Sequence, residues 1–228
     1  MSALIEYAPL LGQGAMVTIA LALLSLVLAT VLGALGAAAK IGGHWTADWT
    51  ARGYTTVVRG VPDLVLIMLI YFGGQRLINT AATALGFDGG IEISKFAAGV
   101  FAIGFIYGAY LTETFRGAWA AVPKGQGEAA QALGLGRLAR IRLVMIPQLV
   151  RFAISGYSNV WMVLVKSTAV VSVIGLADLV GLADKAGKST RQQFWFYLAV
   201  LLVYLLITIV SERVLERVRA RVNRGIPA

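Results

Sequence analysis

Three stretches of this chain run for seventeen residues or more without a single charged side chain: Ala8 to Ala39, Phe96 to Thr112 and Phe194 to Ser211. Hydrocarbon about 30 Å thick is crossed by roughly 20 residues of α-helix rising 1.5 Å each, so each stretch approaches or exceeds the length of a membrane span. Hydrophobic residues make up 58% of the 228 and charged residues 14%, with a mean hydropathy of +0.78, well beyond what one soluble core requires. The chain therefore reads as an all-α integral membrane protein.

Two further spans are less tidy. The segment from Val61 to about Thr80 is apolar apart from Asp63 and Arg76 near its ends, with Pro62 as a helix opener and Arg76 snorkelling. The other starts after Pro147, runs through FAISGYSNVWMVLV to Lys166 and continues to Ala177. Five spans place the two termini on opposite sides. Putting the N-terminus outside assigns Lys40, Arg52, Arg59, Arg116, Lys124, Arg137, Arg140, Arg142, Arg151 and the five arginines from Arg213 to Arg224 to the cytoplasm, fourteen of the twenty basic residues. This bias predicts a periplasmic N-terminus and a cytoplasmic C-terminus. Glu6 precedes the first apolar run, which lacks the basic start of a cleaved leader. Small residues at four-residue spacing, Ala29, Gly33 and Ala37 on the first span and Gly104 and Gly108 on the third, predict close helix packing inside one bundle in preference to a dimer seam. The chain reads as a single domain, 1–228.

Several classes drop out. There is no cysteine, and His44 is the only histidine, so no thiolate or multi-histidine metal site is expected. The net charge of +9 follows from cytoplasmic loops and does not require nucleic acid. LADKAGKST (182–190) imitates the end of a phosphate loop, but Leu182 stands where its first glycine belongs and no strand precedes it. The chain is not expected to be an enzyme or to hold a cofactor.

One stretch breaks the apolar pattern: EAAQALGLGRLARIRLVMIP, 128–147. Leu138, Ile141 and Met145 recur at spacings of three and four, with Arg137 and Arg140 elsewhere on the wheel, which predicts two short helices around Gly134. Pro123 precedes the pair and Pro147 is expected to end it, keeping both helices separate from the spans. A basic amphipathic helix lying on anionic lipid explains the pattern as well as a docking helix does.

Polar residues inside spans invite functional readings. Lys166, followed by Ser167 and Thr168, either lines a passage or snorkels to the interface, or pairs with an acid on a partner. Asp63 suits the first turn of a helix, where the dipole favours a carboxylate. Glu113 stands three residues before Arg116, a pairing distance on one helix face. Tyr107, Tyr110, Ser155, Ser158 and Asn159 serve either a conduit or inter-helix hydrogen bonds.

Glu128, Ala129, Ala130, Gly134, Val144, Ile146 and Pro147 resemble the EAA loop of bacterial ABC importer permeases: EAA, three residues, Gly, nine residues, Ile, one residue, Leu-Pro, with Val144 and Ile146 for the Ile and Leu. RGVPDLVL (59–66), GFIYGAYLTETFRGAWAAVPKGQGEAA (104–130), LVKSTAVVSVIGLADL (164–179) and AGKST (186–190) extend the likeness to the polar amino-acid permeases, and among them to the Q-type membrane subunit of histidine and lysine/arginine/ornithine importers. The resemblance implies a type I importer (MetI-like) fold in the bacterial inner membrane and import of basic amino acids. It implies two ATPase subunits that bind ATP and Mg, a second, M-type permease subunit and a periplasmic binding protein. The segment 124–147 becomes the coupling loop, with Glu128, Ala129, Ala130, Gly134, Arg137, Arg140 and Pro147 meeting the ATPase. Lys166, Ser167, Thr168, Glu113, Asn159, Tyr107 and Tyr110 become candidates for the pathway or its gate. Many relatives carry Asp where Ser167 stands, so direct binding of a guanidinium or ammonium group is not expected at this spot, and an acid facing a cationic substrate would come from the partner subunit. The rival reading, a secondary carrier or channel driven by an ion gradient, needs no docking loop and usually shows inverted halves or paired broken helices, which are not found here.

Overall fold

The computed structural model describes residues 2–87 and 90–223. Arg224, counted above with the cytoplasmic charges, lies outside them. In chain order the helices are α1 (Ser2–Glu6), α2 (Ala8–Ile41), α3 (Trp45–Gly60), α4 (Asp63–Ala84), α5 (Lys95–Ala121), α6 (Lys124–Ala132), α7 (Arg137–Ile174), α8 (Leu179–Thr190) and α9 (Gln193–Val222). Five of them, α2, α4, α5, α7 and α9, are long and apolar enough to cross a membrane, as the sequence predicts.

The centre of the bundle is the parallel pair α2–α5, in which Leu28 meets Gly104, Leu32 meets Gly108 and Gly33 meets Leu111, and the small residues identified in the sequence are its seam. A Cβ on Gly33 would lie 2.5 Å from that of Leu111, one on Gly104 2.7 Å from Leu28 Cδ2, and one on Gly108 2.9 Å from Leu32 Cβ. These glycines are there because the two backbones approach closer than a side chain permits, which in lipid supplies the van der Waals contact that hydrophobicity cannot. Around the seam pack Leu21, Ile103, Ile106, Leu111, Leu164 and Val171, all fully buried.

The bundle has two ends. At one, Lys95 Nζ donates to the Gly175 carbonyl, and the rings of Tyr7 and Phe196 pack edge to face. At the other, the basic end, Lys40, Glu113, the segment from Lys124 to Arg142 and the arginines of α9 gather; Arg219 Nε donates to Ser158 Oγ there.

The structure departs from the sequence reading at three places. First, Pro147 does not end the helix pair. It sits in the first turn of the long α-helical part of α7, immediately after a wide π turn at Ile141–Met145, and the Ile146 N–H reaches back five residues to the Ile141 carbonyl. The wider turn accommodates a residue with no N–H, so the second short helix merges with the fourth span. That span ends at Ile174 instead of Ala177, in a 3-10 turn closed by Gly175 at φ +80°.

Second, the second span begins at Asp63, with Pro62 as its cap, and runs past Thr80 to Ala84. Asp63 is not near the membrane surface. Gln75 bonds the backbone at Ile91 and Ile93, just before α5 begins. Twelve residues of helix separate it from Asp63, a rise of about 18 Å. Asp63 is therefore near half depth.

Third, α3 and α8 are helices where the sequence reading had only connecting segments. α3 turns back from the end of α2 and climbs beside α5: Thr55 is level with Glu113, Arg59 with Tyr110 and Asp63 with Tyr107. The break at Gly60–Pro62 thus lies inside the bundle.

Candidate functional site

Because the Gly60–Pro62 break starts a helix at half depth, its first residue, Asp63, meets two other spans. Tyr107 Oη of α5 donates to Asp63 Oδ2 at 2.8 Å, and Ser167 Oγ of α7 shares its one proton between the same oxygen, at 3.3 Å, and the Tyr107 Oη. Tyr107 is buried, while Asp63 and Ser167 are half-buried. A carboxylate in this setting is held by two hydroxyl donors and lacks a cationic partner among the described residues. Such a carboxylate can pair with a cation brought to it.

Below it, the same face of α5 continues as Tyr110, Glu113 and Arg116, three residues apart. The Tyr107 and Tyr110 rings stack at 5.6 Å, and the Arg59 guanidinium lies 5.3 Å from the centre of the Tyr110 ring. At the basic end, Glu113 accepts from Lys40 and, at 2.9 Å, from Arg116 Nε; Lys40 also donates to Thr55 at 2.7 Å. The Lys40 side chain is only 6% exposed, and its bonds to Glu113 and Thr55 tie α2, α3 and α5 together. A polar recess of about 530 Å³, lined by Lys40, Arg52, Arg59, Glu113 and Arg116, opens there.

The sequence candidates therefore divide. Tyr107, Tyr110, Glu113 and Ser167 share one polar column. Lys166 and Asn159 are exposed on the outer surface of this chain, away from that column, and Lys166 has no acid partner among the described residues. Thr168 is buried and turns to α9, sharing a hydrogen bond of 3.0 Å with Tyr204. Ser158 bonds the Ile154 carbonyl, and Ser155 is exposed. Sequence reasoning underweighted Asp63 and passed over Lys40 and Arg59; the one signal available for Asp63 was a glycine and a proline placed just before an acid.

The segment 124–147 has its own geometry. Gly134 adopts φ +79°. Its N–H donates to the Gln131 carbonyl at 3.0 Å, and the Leu135 N–H to the Ala130 carbonyl at 3.0 Å, the paired bonds that close a helix through a left-handed residue. The glycine four residues after the second alanine is thus the stop signal of α6. The two legs are tied by Arg140 to Gln131 at 2.7 Å and by Gln148 to Gln126 at 3.1 Å. Ala130 is buried between them, while Glu128, Ala129, Gly134, Arg137 and Pro147 are exposed and Arg140 is half-buried. Leu133 and Leu138 are 83% and 77% exposed. Two aliphatic side chains flanking a rigid turn, with arginines beside them, form a projecting surface of mixed apolar and basic character.

At the other end, the GKST stretch lies in α8, where Lys188 Nζ pairs with Asp184 Oδ2 at 2.6 Å and holds the Asp184 carboxyl below the usual carboxylate range. It forms one continuous helix, not a phosphate-cradling loop.

Residues 29–224 match the family of binding-protein-dependent transport system inner membrane components. The chain is similar to the histidine/lysine/arginine/ornithine transport system permease protein HisQ of Escherichia coli, with 47% identity over 94% of this chain and 93% of the relative. It is 42% identical to the nopaline transport system permease protein NocQ of Agrobacterium fabrum, over 95% and 92% of the two chains. The crystal structure of an amino acid ABC transporter with histidines superposes with a TM-score of 0.81 at 31% identity, covering 96% of each chain. An inward-facing MetNI methionine ABC transporter shares the fold, with a TM-score of 0.72 at 18% identity over 96% of this chain and 99% of the other.

Proposed function

We propose, from the premise that this chain belongs to the family of binding-protein-dependent transport system inner membrane components, that it carries basic amino acids through a passage built around Asp63. The chain is an inner-membrane permease of an ATP-binding-cassette amino-acid importer. Its whole length acts as one domain with the N-terminus periplasmic and the C-terminus cytoplasmic, following the distribution of its lysines and arginines.

The observation that carries the substrate reading is the Asp63 carboxylate at half depth, hydrogen-bonded by Tyr107 and Ser167 but without a cationic partner. The acid that Ser167 does not supply comes from Asp63, and the imidazolium of histidine, the ammonium of lysine or ornithine or the guanidinium of arginine fits it. HisQ is named for a histidine/lysine/arginine/ornithine transport system. Tyr107 and Tyr110 offer ring faces along the way to the recess that Glu113 and Lys40 bound. Lys166 and Asn159, exposed on α7, belong to the wall that a second permease subunit, of the M type, would face, while the buried Thr168 holds α7 to α9.

Coupling runs through the segment 124–147. The exposed leucines at 133 and 138, beside Arg137 and Arg140, suit a groove on a protein better than lipid headgroups, because a rigid turn flanked by two legs projects as a knob. Two ATPase subunits hold ATP and Mg; their closure pushes Glu128, Ala129, Ala130, Gly134 and the residues up to Pro147, and α7, continuous with this segment, carries the push into the bundle. A binding protein delivers the amino acid on the opposite side.

The test is uptake of labelled arginine, lysine and glutamate by the assembled transporter in proteoliposomes. Glu128→Lys is expected to abolish ATP-dependent uptake with membrane insertion intact, and Asp63→Asn to raise KM for arginine while glutamate stays untransported. Flux driven by an ion gradient in the absence of the ATPase would instead favour the secondary-carrier reading.

A further inference from the structure

On the surface of the bundle a cleft of about 300 Å³ runs between α2, α7 and α9. Thr18, Ala22 and Val165 form its buried floor, and Trp161, Leu206 and Val210 its walls. The Thr18 hydroxyl already accepts the Leu179 N–H at 3.2 Å, so the floor offers no unpaired polar atom there. Val165 and Ser167 are two residues apart on α7, about 200° around the helix. The cleft therefore opens on the face of α7 opposite the Asp63–Tyr107–Ser167 cluster. If the second permease subunit faces Lys166 and Asn159, as proposed above, the cleft, about 100° around α7 from Lys166, lies outside that contact and faces lipid.

Its lower edge is charged. Leu206, Val210, Arg213 and Arg217 follow at spacings of three and four, one stripe of α9 leading from the cleft to the basic end. Both arginines are exposed, and neither has an acid partner among the described residues. An apolar slot ending at two free guanidinium groups matches one molecule type: a chain of methylenes above an anionic phosphate.

We propose that this cleft binds one anionic phospholipid, its acyl chain between Ala22, Val165 and Leu206 and its phosphate on Arg213 and Arg217. Trp161 in the wall is the reporter. In the assembled transporter, quenching by brominated phosphatidylglycerol is compared with quenching by brominated phosphatidylcholine, and the part that disappears in Trp161→Phe is taken as the signal from the cleft. That part is expected at roughly tenfold lower mole fraction of the anionic lipid, since each arginine near the headgroups favours it. The double change Arg213→Gln/Arg217→Gln removes the preference, Arg213→Lys/Arg217→Lys retains it, and Ala22→Leu weakens quenching by both lipids. Equal quenching by the two lipids in the unaltered protein would reduce the cleft to ordinary lipid contact and overturn the proposal. So would a cross-link from Leu206→Cys to the second permease subunit, unambiguous within a chain that has no other cysteine. ATP-dependent arginine uptake measured on the same samples separates either failure from a failure of the transport reading.

Discussion

Replacing Gly134 by alanine isolates one physical quantity. The residue adopts φ +79°, and a Cβ built on it meets nothing within 4 Å, so the substitution adds no clash within this chain and acts only on the backbone. A left-handed conformation costs an L-residue roughly 1–2 kcal/mol relative to glycine. If the turn must keep that shape to dock, Gly134→Ala lowers the docking-competent population by roughly 5- to 30-fold. Gly125 is the control: it lies in α6, carries no positive φ, and its Cβ likewise meets nothing within 4 Å. Gly125→Ala is expected to be neutral or to favour the helix slightly. The assay is ATP-driven arginine uptake and substrate-stimulated ATP hydrolysis by the assembled transporter, with co-purification of the ATPase subunits as a separate readout. Gly134→Ala is expected to lose uptake and stimulation together while the chain inserts and extracts normally. Unchanged uptake would refute the requirement for the left-handed turn. An equal loss with Gly125→Ala would point instead to crowding against the docked partner.

Three further outcomes follow from the same contacts. Tyr107→Phe leaves Asp63 with one donor; losing a hydrogen bond to a charged group costs roughly 1.5–3 kcal/mol, so KM for arginine is expected to shift without a change in the amount of folded protein, and an unchanged KM would remove Tyr107 from the site. Gly33→Val places a Cβ about 2.5 Å from that of Leu111, and forced overpacking of roughly 1–3 kcal/mol is expected to lower the thermal aggregation temperature in detergent, whereas Gly12→Val, with nothing within 4 Å, does not. Asp178 is fully buried, caps α8 through Gly181 N–H at 3.0 Å, and burial pushes its carboxyl above the usual carboxylate range. The fold then binds the extra proton, so this group lowers stability as pH rises from the ordinary carboxylate pKa through the raised one; Asp178→Asn is expected to flatten that slope in thermal unfolding curves, and parallel curves would refute the effect.

How much of this was readable from the chain depends on the range of the forces involved. The uncharged runs of α2, α5 and α9 determine helices across lipid, because every backbone polar group must be satisfied within its own segment there. The Ala29–Gly33–Ala37 and Gly104–Gly108 spacings determine close packing, and the spacing from Ala130 to Gly134 determines where α6 stops, through two hydrogen bonds that span five residues or fewer. All of these are local or periodic. What meets Gly33 is not local: only the folded bundle brings Leu111, seventy-eight positions away, onto it.

The site shows the same division. Glu113 and Arg116 are neighbours on one helix turn, so their pairing follows from spacing alone; Lys40, the buried third member, reaches them only because α2 and α5 run parallel and come to the basic end together. Asp63 looks in the sequence like a first-turn residue near a membrane surface. Its depth is set by α3 folding back along α5, and its partners Tyr107 and Ser167 stand on two other spans. Pro147 misleads for a related reason: a proline ends a regular α-helix, but the π turn before it admits one, and that turn forms where the α6 leg packs against α7. Composition and periodicity settle the medium and the number of crossings, since those depend on transfer energies summed along the chain; the tertiary structure alone decides which charges meet and at what depth, since those depend on how the crossings pack.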